Sequence, residues 1–142
     1  MPVRRETSPS ARLLAKGTAA ARPNPSTDPS DLLSRLPAGT GLLTIDADRV
    51  TLTDNVVTSN DSVGIALISL PPDVAVLDPR VDPIPDDDQI TRNTVLRNGT
   101  NPDPRLAPFP PADLLWDGTG TGNCWKANTF GTAFPAPLPS CN

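Results

Sequence analysis

The sequence lacks histidine and tyrosine altogether, and Glu6 is its single glutamate. Without histidine the chain cannot form a Ser-His-Asp triad, a histidine-activated cysteine nucleophile or a histidine-ligated metal site. Any acid–base chemistry therefore has to rest on aspartate, lysine or arginine. Cysteine is scarce as well: there are two, and neither has an evident cation beside it to form a reactive thiolate.

Bulky apolar residues are few. Aromatic residues make up 4% of the chain and hydrophobic residues 37%, which is below the usual share for a globular protein. The core volume must come from Val, Leu, Ile and Ala, so we expect a thin, repetitive core. No stretch approaches the about 18 consecutive apolar residues of a membrane span, and none is predicted. The first apolar run is interrupted by Lys16 and Gly17, so no signal peptide is recognised.

Charge is distributed unevenly along the chain. The formal net charge is −4, with six basic and three acidic residues in 1–40 but six basic and thirteen acidic residues in 41–142. An acidic body argues against nucleic acid as a partner, because phosphate binding needs clustered Lys and Arg. Residues 1–30 are rich in Ser, Pro, Ala and Arg without a sustained period. This predicts a disordered leader followed by one domain over residues 31–142.

A repeat organises the rest of the chain. LTDNVVTSND (residues 52–61) aligns with ITRNTVLRNG (90–99), and WKANTF (125–130) forms a third, shorter copy. The match preserves an apolar residue, a variable or Thr position, Asn and a second apolar residue in the same order. Such internal similarity is typical of solenoids, in which each copy is one coil of a stack.

The segments that come after the copies correspond too. VGIAL (63–67) matches ADLLW (112–116), and GTGLL (39–43) precedes the first unit as a weaker copy. Two inserts rich in Pro and Asp, 70–89 and 99–111, lengthen the later spacings. Solenoids tolerate such inserts because a loop can leave the stack at a turn without disturbing it.

Asparagine recurs in one slot of each copy, at Asn55, Asn93 and Asn128, and again in a second slot at Asn60 and Asn98. A turn between short strands often needs one residue in the left-handed region, which Asn enters at low cost, so we expect Asn to adopt that conformation here. Stacked copies would place Asn above Asn, with the side-chain amides hydrogen-bonded along the stack.

Apolar residues two positions apart, such as Val50 and Leu52, indicate short strands with one inward face. The alignment of the copies places Leu52, Ile90 and Trp125 in one slot. We therefore expect these three side chains to lie directly over one another in the core, in strands that run in the same direction.

The sequence resembles a known family. VTLTDNVVTSNDSVGIAL (50–67) is similar to the repeat of right-handed parallel β-helix proteins of the pectate-lyase-like superfamily, and DLLWDGTGTGNCWKANTF (113–130) with FPAPLPSC (134–141) resembles the C-terminal portion of bacterial parallel β-helix repeat proteins. The resemblance covers about residues 36–142. It implies a right-handed parallel β-helix (solenoid) of about three coils. An open solenoid end exposes strand edges, so we expect another copy of the chain or upstream coils to cover it.

The two cysteines are candidates for a disulfide. Cys124 directly precedes the third copy, and Cys141 is next to last in the chain. A bond between them would tie the proline-rich tail across the last coil, and closing such a loop contributes about 3 kcal/mol in the chain-entropy model. It would suit an exported protein. The alternative is two free, buried thiols.

The first insert is acidic, and five of its carboxylates are candidate oxygen ligands for calcium: Asp78, Asp82, Asp86, Asp87 and Asp88. In lyases of the superfamily, Ca²⁺ and a basic residue handle an acidic sugar, so the resemblance implies such a site, with Arg80 among the aspartates. No EF-hand spacing is present. The alternative is a solvated loop in which Asp and Pro form turns.

Other residues are candidates for carbohydrate chemistry. Asp46, Asp48 and Asp54 lie close along the first copy, and paired carboxylates serve glycosidases, although Asp is also ordinary at strand ends. Trp116 precedes the turn sequence DGTGTG, where we expect a ring face near the surface for sugar stacking. Trp125 is expected in the core.

The sequence thus predicts an all-β fold, a right-handed parallel β-helix, with a small antiparallel β-sandwich as the alternative. For function it favours a non-catalytic, exported structural or carbohydrate-binding module, the tail of a longer solenoid, located outside the cell or in the cell envelope. Polysaccharide is the expected partner. The alternative is the remnant of a polysaccharide lyase or glycosidase that uses the loop of residues 78–88 with calcium; no other cofactor is predicted.

Overall fold

A computed structural model of the chain describes Ser10, Ala11, Leu14–Lys16, Asp28 and residues 30–142. The strands of this part form three parallel sheets of four strands each. The first sheet contains β1 (Ser10–Ala11), β4 (Thr51–Thr53), β7 (Gln89–Thr91) and β10 (Cys124–Lys126). The second contains β2 (Leu14–Lys16), β5 (Val56–Thr58), β8 (Thr94–Leu96) and β11 (Thr129–Phe130). The third contains β3 (Thr40–Ile45), β6 (Val63–Ile68), β9 (Ala112–Trp116) and β12 (Ala133–Phe134).

The chain visits the three sheets in strict rotation. Each strand pairs in parallel with the strand three places further on, as β4 does with β7 and β7 with β10. We call three consecutive strands, one from each sheet, a rung, so that the described residues form four rungs. The predicted all-β class is confirmed. The β-sandwich alternative requires antiparallel pairs, and every pairing within the described residues is parallel.

The number of coils and the extent of the leader were predicted incorrectly. Four rungs replace the expected three, because β1 and β2 lie within residues 1–30 and pair with β4 and β5. The remaining leader residues, 1–9, 12–13, 17–27 and 29, lie outside the described residues. The error has a physical cause: strands of two and three residues are held by backbone pairing, and they are too short to show an alternating pattern in sequence.

The interior of the stack is a series of registered apolar side chains. Leu52 pairs with Ile90 and Ile90 with Trp125, as the repeat predicts. In the second sheet Val57 lies in register with Val95, and both are fully buried. Burial of one side chain of this size stabilises the fold by about 1.5–3 kcal/mol. The core is therefore thin but continuous along the stack.

The two central strands of the third sheet, β6 and β9, are buried on both faces. Ile65 and Leu67 of β6 belong to the interior cluster, whereas Val63 and Ala66 pack outward against Leu106 and its neighbours in the second insert. A sheet covered on both faces needs apolar residues at successive positions. This explains why β6 and β9 are buried at nearly every position and are apolar except for Asp113, whereas burial alternates along strands such as β4, β7, β8 and β10.

Gly64 admits the close approach of a neighbouring rung. A Cβ atom at this position would lie 2.4 Å from Val95 Cγ1, 2.5 Å from the Asp113 carbonyl oxygen and 2.8 Å from Asn98 Nδ2. The first two neighbours are packed tightly in the next rung, so neither can yield easily. Glycine at position 64 is therefore required by the close approach of the next rung.

Within the described residues, helix occurs in short pieces. These are α1 (Leu32–Arg35), α2 (Pro72–Ala75) in the first insert and a 3₁₀ turn (Pro104–Leu106) in the second. In the part of the chain that the structure describes, no helix has the length and apolar character to cross a membrane.

Candidate functional site

The first asparagine column joins three rungs at the corner between the first and second sheets. The backbone N–H and Nδ2 of Asn55 both donate to Asn93 Oδ1, at 3.0 and 2.9 Å. The same two groups of Asn93 donate to Asn128 Oδ1, at 2.9 and 3.0 Å. Asn93 Nδ2 also donates to Leu52 O at 3.0 Å, and Asn128 Nδ2 to Ile90 O at 2.7 Å. The amides thus satisfy backbone groups that the stack buries.

The left-handed residue at this corner is the one before each asparagine. Asp54, Arg92 and Ala127 have φ values of 58°, 54° and 56°. The expectation that Asn itself takes the left-handed conformation is therefore wrong. The asparagine must direct its side chain into the stack to reach the adjacent rungs, and the preceding residue makes the turn, at about 1–2 kcal/mol for a side chain in that region.

The second column joins Asn60, Asn98 and Asp113 at the corner between the second and third sheets. Asn60 donates its N–H and Nδ2 to Asn98 Oδ1, at 3.0 and 2.9 Å. Asn98 donates its own pair to Asp113 Oδ1, and Asp113 Oδ2 accepts from the backbone N–H groups of Gly131 and Thr132. Burial alone would raise the pKa of Asp113, but these hydrogen bonds outweigh it and lower the pKa.

Sequence reasoning did not identify Asp113. Ala112 pairs with Val63 and Leu114 with Ile65, so Asp113 occupies the slot that Gly64 fills in the rung before. The signal was present in the alignment of VGIAL with ADLLW, where a carboxylate replaces glycine in an otherwise apolar strand. The fourth rung has no asparagine at this corner, and the side chain of Asp113 fills the vacant position.

The third column contains Val50, Asp88 and Asn123. Val50 N–H donates to Asp88 Oδ1 at 2.7 Å, and Asp88 N–H donates to Asn123 Oδ1 at 2.9 Å. Asp88 is 1% exposed and its Oδ2 has no hydrogen-bond partner. Burial, chiefly, raises the pKa of Asp88 to about 6, and the charges of Asp48, Asp86 and Asp87 add to the rise, opposed by the bond from Val50 N–H.

The five aspartates of the predicted calcium site are engaged separately. Asp78 forms an ion pair with Arg80 at 2.8 Å, Asp82 accepts from Ile84 N–H, and Asp86 accepts from Thr121 N–H at 2.6 Å. Asp87 is exposed at the turn and Asp88 is buried in the third column. Among the residues that the structure describes, no group of three His, Cys, Asp or Glu side chains is placed to hold a metal ion.

Two of the other candidate carboxylates, Asp48 and Asp54, have structural partners. Asp48 Oδ1 accepts the backbone N–H of Asp86 at 3.1 Å, and Asp54 forms an exposed ion pair with Arg92 at 3.0 Å. These contacts connect successive rungs. An exposed ion pair of this kind contributes about 0–1 kcal/mol.

The two tryptophans lie together at the end of the core. Their ring centroids are 5.6 Å apart with an interplanar angle of 45°. Trp125 is buried, as predicted. Trp116, the candidate for sugar stacking, is half-buried against it, and its Nε1 donates to Thr119 O at 2.8 Å. Thr119 belongs to the DGTGTG segment, which forms a turn.

The predicted disulfide between Cys124 and Cys141 is confirmed. It holds the tail across β10, the last strand of the first sheet. Trp125 N–H donates to Pro139 O at 2.8 Å, and Cys141 N–H donates to Trp125 O at 3.2 Å. Trp125 and Ser140 form a parallel bridge, so the tail acts as one further strand on this sheet.

Two cavities open on the described surface. One, of about 300 Å³, lies outside the third sheet against Leu106, Phe109 and Leu115, with Arg35 and Arg105 at its rim. Both arginines are already paired, with Asp73 and Asp103. The other, of about 240 Å³, lies at the end of the stack, lined by Trp125, Asn128, Phe130, Ala133 and Leu138 among others.

The chain matches no protein-family model, no curated protein and no solved structure. The resemblance to parallel β-helix repeat proteins rests on the repeat and tail residues alone.

Proposed function

We propose that the chain is a non-catalytic, exported structural module with the architecture of a right-handed parallel β-helix, and that the outer face of its first sheet binds polysaccharide. The strict rotation through three parallel sheets supports the β-helix. The right hand is the one that connections between parallel strands adopt almost without exception. The disulfide is of the kind that persists in oxidising compartments and supports export.

One observation carries the binding proposal: the outer face of the first sheet presents a polar strip. Leu52, Ile90 and Trp125 face inward, so the alternation of the strands directs their neighbours outward. These outward residues include Thr51, Thr53, Gln89, Thr91 and Lys126, which are half-buried or exposed. Strands lie about 4.8 Å apart, so the strip offers hydroxyl, amide and ammonium groups at a regular spacing suited to a chain of sugar hydroxyls.

The buried polar groups support a non-catalytic role. Asn93, Asn98, Asp88 and Asp113 are all at least 90% buried and hydrogen-bond along the columns. Asp88 has a raised pKa of the kind that catalytic acids show, yet it lies inside the stack, where a polysaccharide cannot reach it. The hydrogen bonds of these buried side chains thus stabilise the stack.

Retention of the disulfide-intact chain on insoluble polysaccharides, neutral and acidic, tests the binding face. We expect retention that falls several-fold in the double variant Gln89→Ala/Lys126→Ala. Thr94→Ala, on the outer face of the second sheet, is the matched control and should bind as the unaltered chain does. Equal retention of all variants, or none on any polysaccharide, would refute the binding face. Release of an unsaturated, ultraviolet-absorbing sugar would instead identify a lyase.

A further inference from the structure

The last rung is covered on one sheet and open on another. In the first sheet the tail pairs with β10 through Trp125 and Ser140. In the second sheet β11 is the outermost strand, and it has no partner beyond β8 within the described residues. Thr129 N–H donates to Asn93 O at 2.8 Å. Because the direction of N–H groups alternates along a strand, the N–H and C=O of Phe130 face the open edge.

Asn128 ends the first column with two donors that lack an acceptor. In the rungs before it, the N–H and Nδ2 of Asn55 and of Asn93 each bind one side-chain oxygen of the next rung. Asn128 Nδ2 uses one hydrogen for Ile90 O. Its second amide hydrogen and its backbone N–H have no acceptor in the described part of the chain.

The second column shows which oxygen accepts from such donors. There Asn98 N–H and Nδ2 bind one carboxylate oxygen of Asp113, at 3.0 and 2.8 Å. The position beyond Asn128 is therefore shaped for an oxygen of either an asparagine or an aspartate side chain. It is a specific hydrogen-bonding position rather than a general polar surface.

The apolar surface beside Asn128 is also left uncovered. Phe130 lies in register with Val95, which is fully buried, yet Phe130 is 44% exposed. Its ring lines the cavity of about 240 Å³ at the end of the stack, together with Trp125, Ala133 and Leu138. A further strand on β11 would cover Phe130 as β11 covers the strand beneath it.

We propose that the edge of β11 binds an extended segment of a partner polypeptide as a parallel strand, with an Asn or Asp side chain seated on Asn128. The tail already binds the first sheet of the same rung in this way, so the occupant continues an interface that the molecule contains. Addition of a strand to an open sheet edge is a common mode of peptide recognition. The site does not depend on the proposed polysaccharide face, with which it shares only Lys126 at the edge of the cavity.

Amide chemical shifts of the isotope-labelled, disulfide-intact full chain test the proposal, with a peptide copying residues 92–98 (RNTVLRN) as the probe. We expect saturable shifts at the N–H and side-chain amide of Asn128 and at the N–H of Phe130. The same peptide carrying Asn93→Ala should bind about tenfold more weakly, because it lacks the oxygen for Asn128. Equal binding of the two peptides, or no shift at Asn128, would overturn the proposal, as would the same shifts with acetamide alone, which would indicate a small-ligand pocket.

Two protein variants separate edge pairing from side-chain contact. Phe130→Pro removes an N–H that has no partner within the described chain, and we expect it to abolish peptide binding. Phe130→Val copies the residue in register at Val95 and should retain binding. Asn128→Asp is a further variant in case the proline disturbs folding: its Oδ1 still accepts from Asn93, but the amide donor is lost, and binding of the peptide should fall. Retained binding in Phe130→Pro or Asn128→Asp contradicts the proposal.

Discussion

Asn98 donates both its backbone N–H and its side-chain amide to a single oxygen of Asp113, at 3.0 and 2.8 Å. A carboxylate thus ends a column that amides continue. The two side chains differ in the groups they present to the next rung: an amide carries donors onward, whereas a carboxylate only accepts. Asp113 uses its second oxygen to bind Gly131 and Thr132 of the last rung. The identity of the residue therefore determines whether a column can extend.

Replacement of Asn93 by alanine should strongly destabilise the stack. The variant leaves the buried N–H and Nδ2 of Asn55 without the Asn93 acceptor and removes the donor to Leu52 O. Each orphaned buried group costs about 1–3 kcal/mol, so we expect a loss of about 3 kcal/mol or more, measured by urea unfolding. Thr94→Ala, an outward-facing neighbour, should change the free energy of unfolding by less than about 0.5 kcal/mol. Similar losses in both variants would contradict the column.

Asp113→Asn should destabilise the fold and alter its acid sensitivity. Both oxygens of Asp113 accept hydrogen bonds, but an asparagine side chain has only one acceptor oxygen. Its NH₂ group would therefore face either the donors of Asn98 or the N–H groups of Gly131 and Thr132, at a cost of about 1–3 kcal/mol. Hydrogen bonds lower the pKa of Asp113 in the folded state. Its contribution is therefore present above the unfolded pKa, near 4, and is lost as the pH falls below it. Unfolding between about pH 2 and pH 5 should show a shallower pH dependence in the variant, and an unchanged slope would refute this assignment.

Asp88→Asn should stabilise the fold near neutral pH. The folded pKa of Asp88, about 6, lies above its unfolded value, so the folded state binds more protons and stability falls as the pH rises from about 4 to 6. A shift of this size corresponds to roughly 3 kcal/mol. In the first column the side-chain amide of Asn93 donates to the carbonyl oxygen of Leu52, which lies three residues before Asn55, the preceding member of that column. The residue that corresponds to Leu52 in the third column is Ala47, three residues before Val50. Asparagine would supply that donor without a charge.

The measurement for Asp88 is urea unfolding of both proteins at about pH 4 and about pH 7.5. The advantage of the variant should be large at the higher pH and small at the lower one, where the unaltered carboxyl is already protonated in the folded state. Asp87→Asn, a change at an exposed neighbour, controls for the removal of one negative charge. An advantage that is independent of pH, or one that Asp87→Asn reproduces, would refute the role of Asp88.

Removal of the disulfide should loosen the tail and lower the overall stability. Closure of a loop with a sequence separation of 17 contributes about 3 kcal/mol in the chain-entropy model. We therefore expect the double variant Cys124→Ser/Cys141→Ser to unfold at lower urea concentration, with faster hydrogen exchange at Trp125 N–H, which the tail binds. Exchange at Val57 N–H, in the second sheet, should become faster only by as much as the overall free energy of unfolding decreases. Unchanged exchange at Trp125 would show that the tail holds without the bond.

The register of the core could be predicted because each copy repeats the same order of side chains. Leu52, Ile90 and Trp125 align, and so do the amides that come after them. The left-handed residues could not be assigned in this way, since Asp54, Arg92 and Ala127 share no side-chain property. The role of Asp113 could be recognised only once its register with Gly64 was known, because it depends on what the next rung lacks.

The two ends of the first insert are held together where it leaves the stack, because Leu70 N–H donates to Pro83 O at 2.9 Å. The residues enclosed by this closure project outside, and among them Val76 and Leu77 are 77% and 80% exposed. Foreign sequence grafted between positions 71 and 82 would remove the exposed Arg35–Asp73 ion pair but would leave the hydrogen bond between Leu70 and Pro83 in place. The molecule therefore provides a natural display position, at which an epitope or reporter can be carried while the registered interior is left intact.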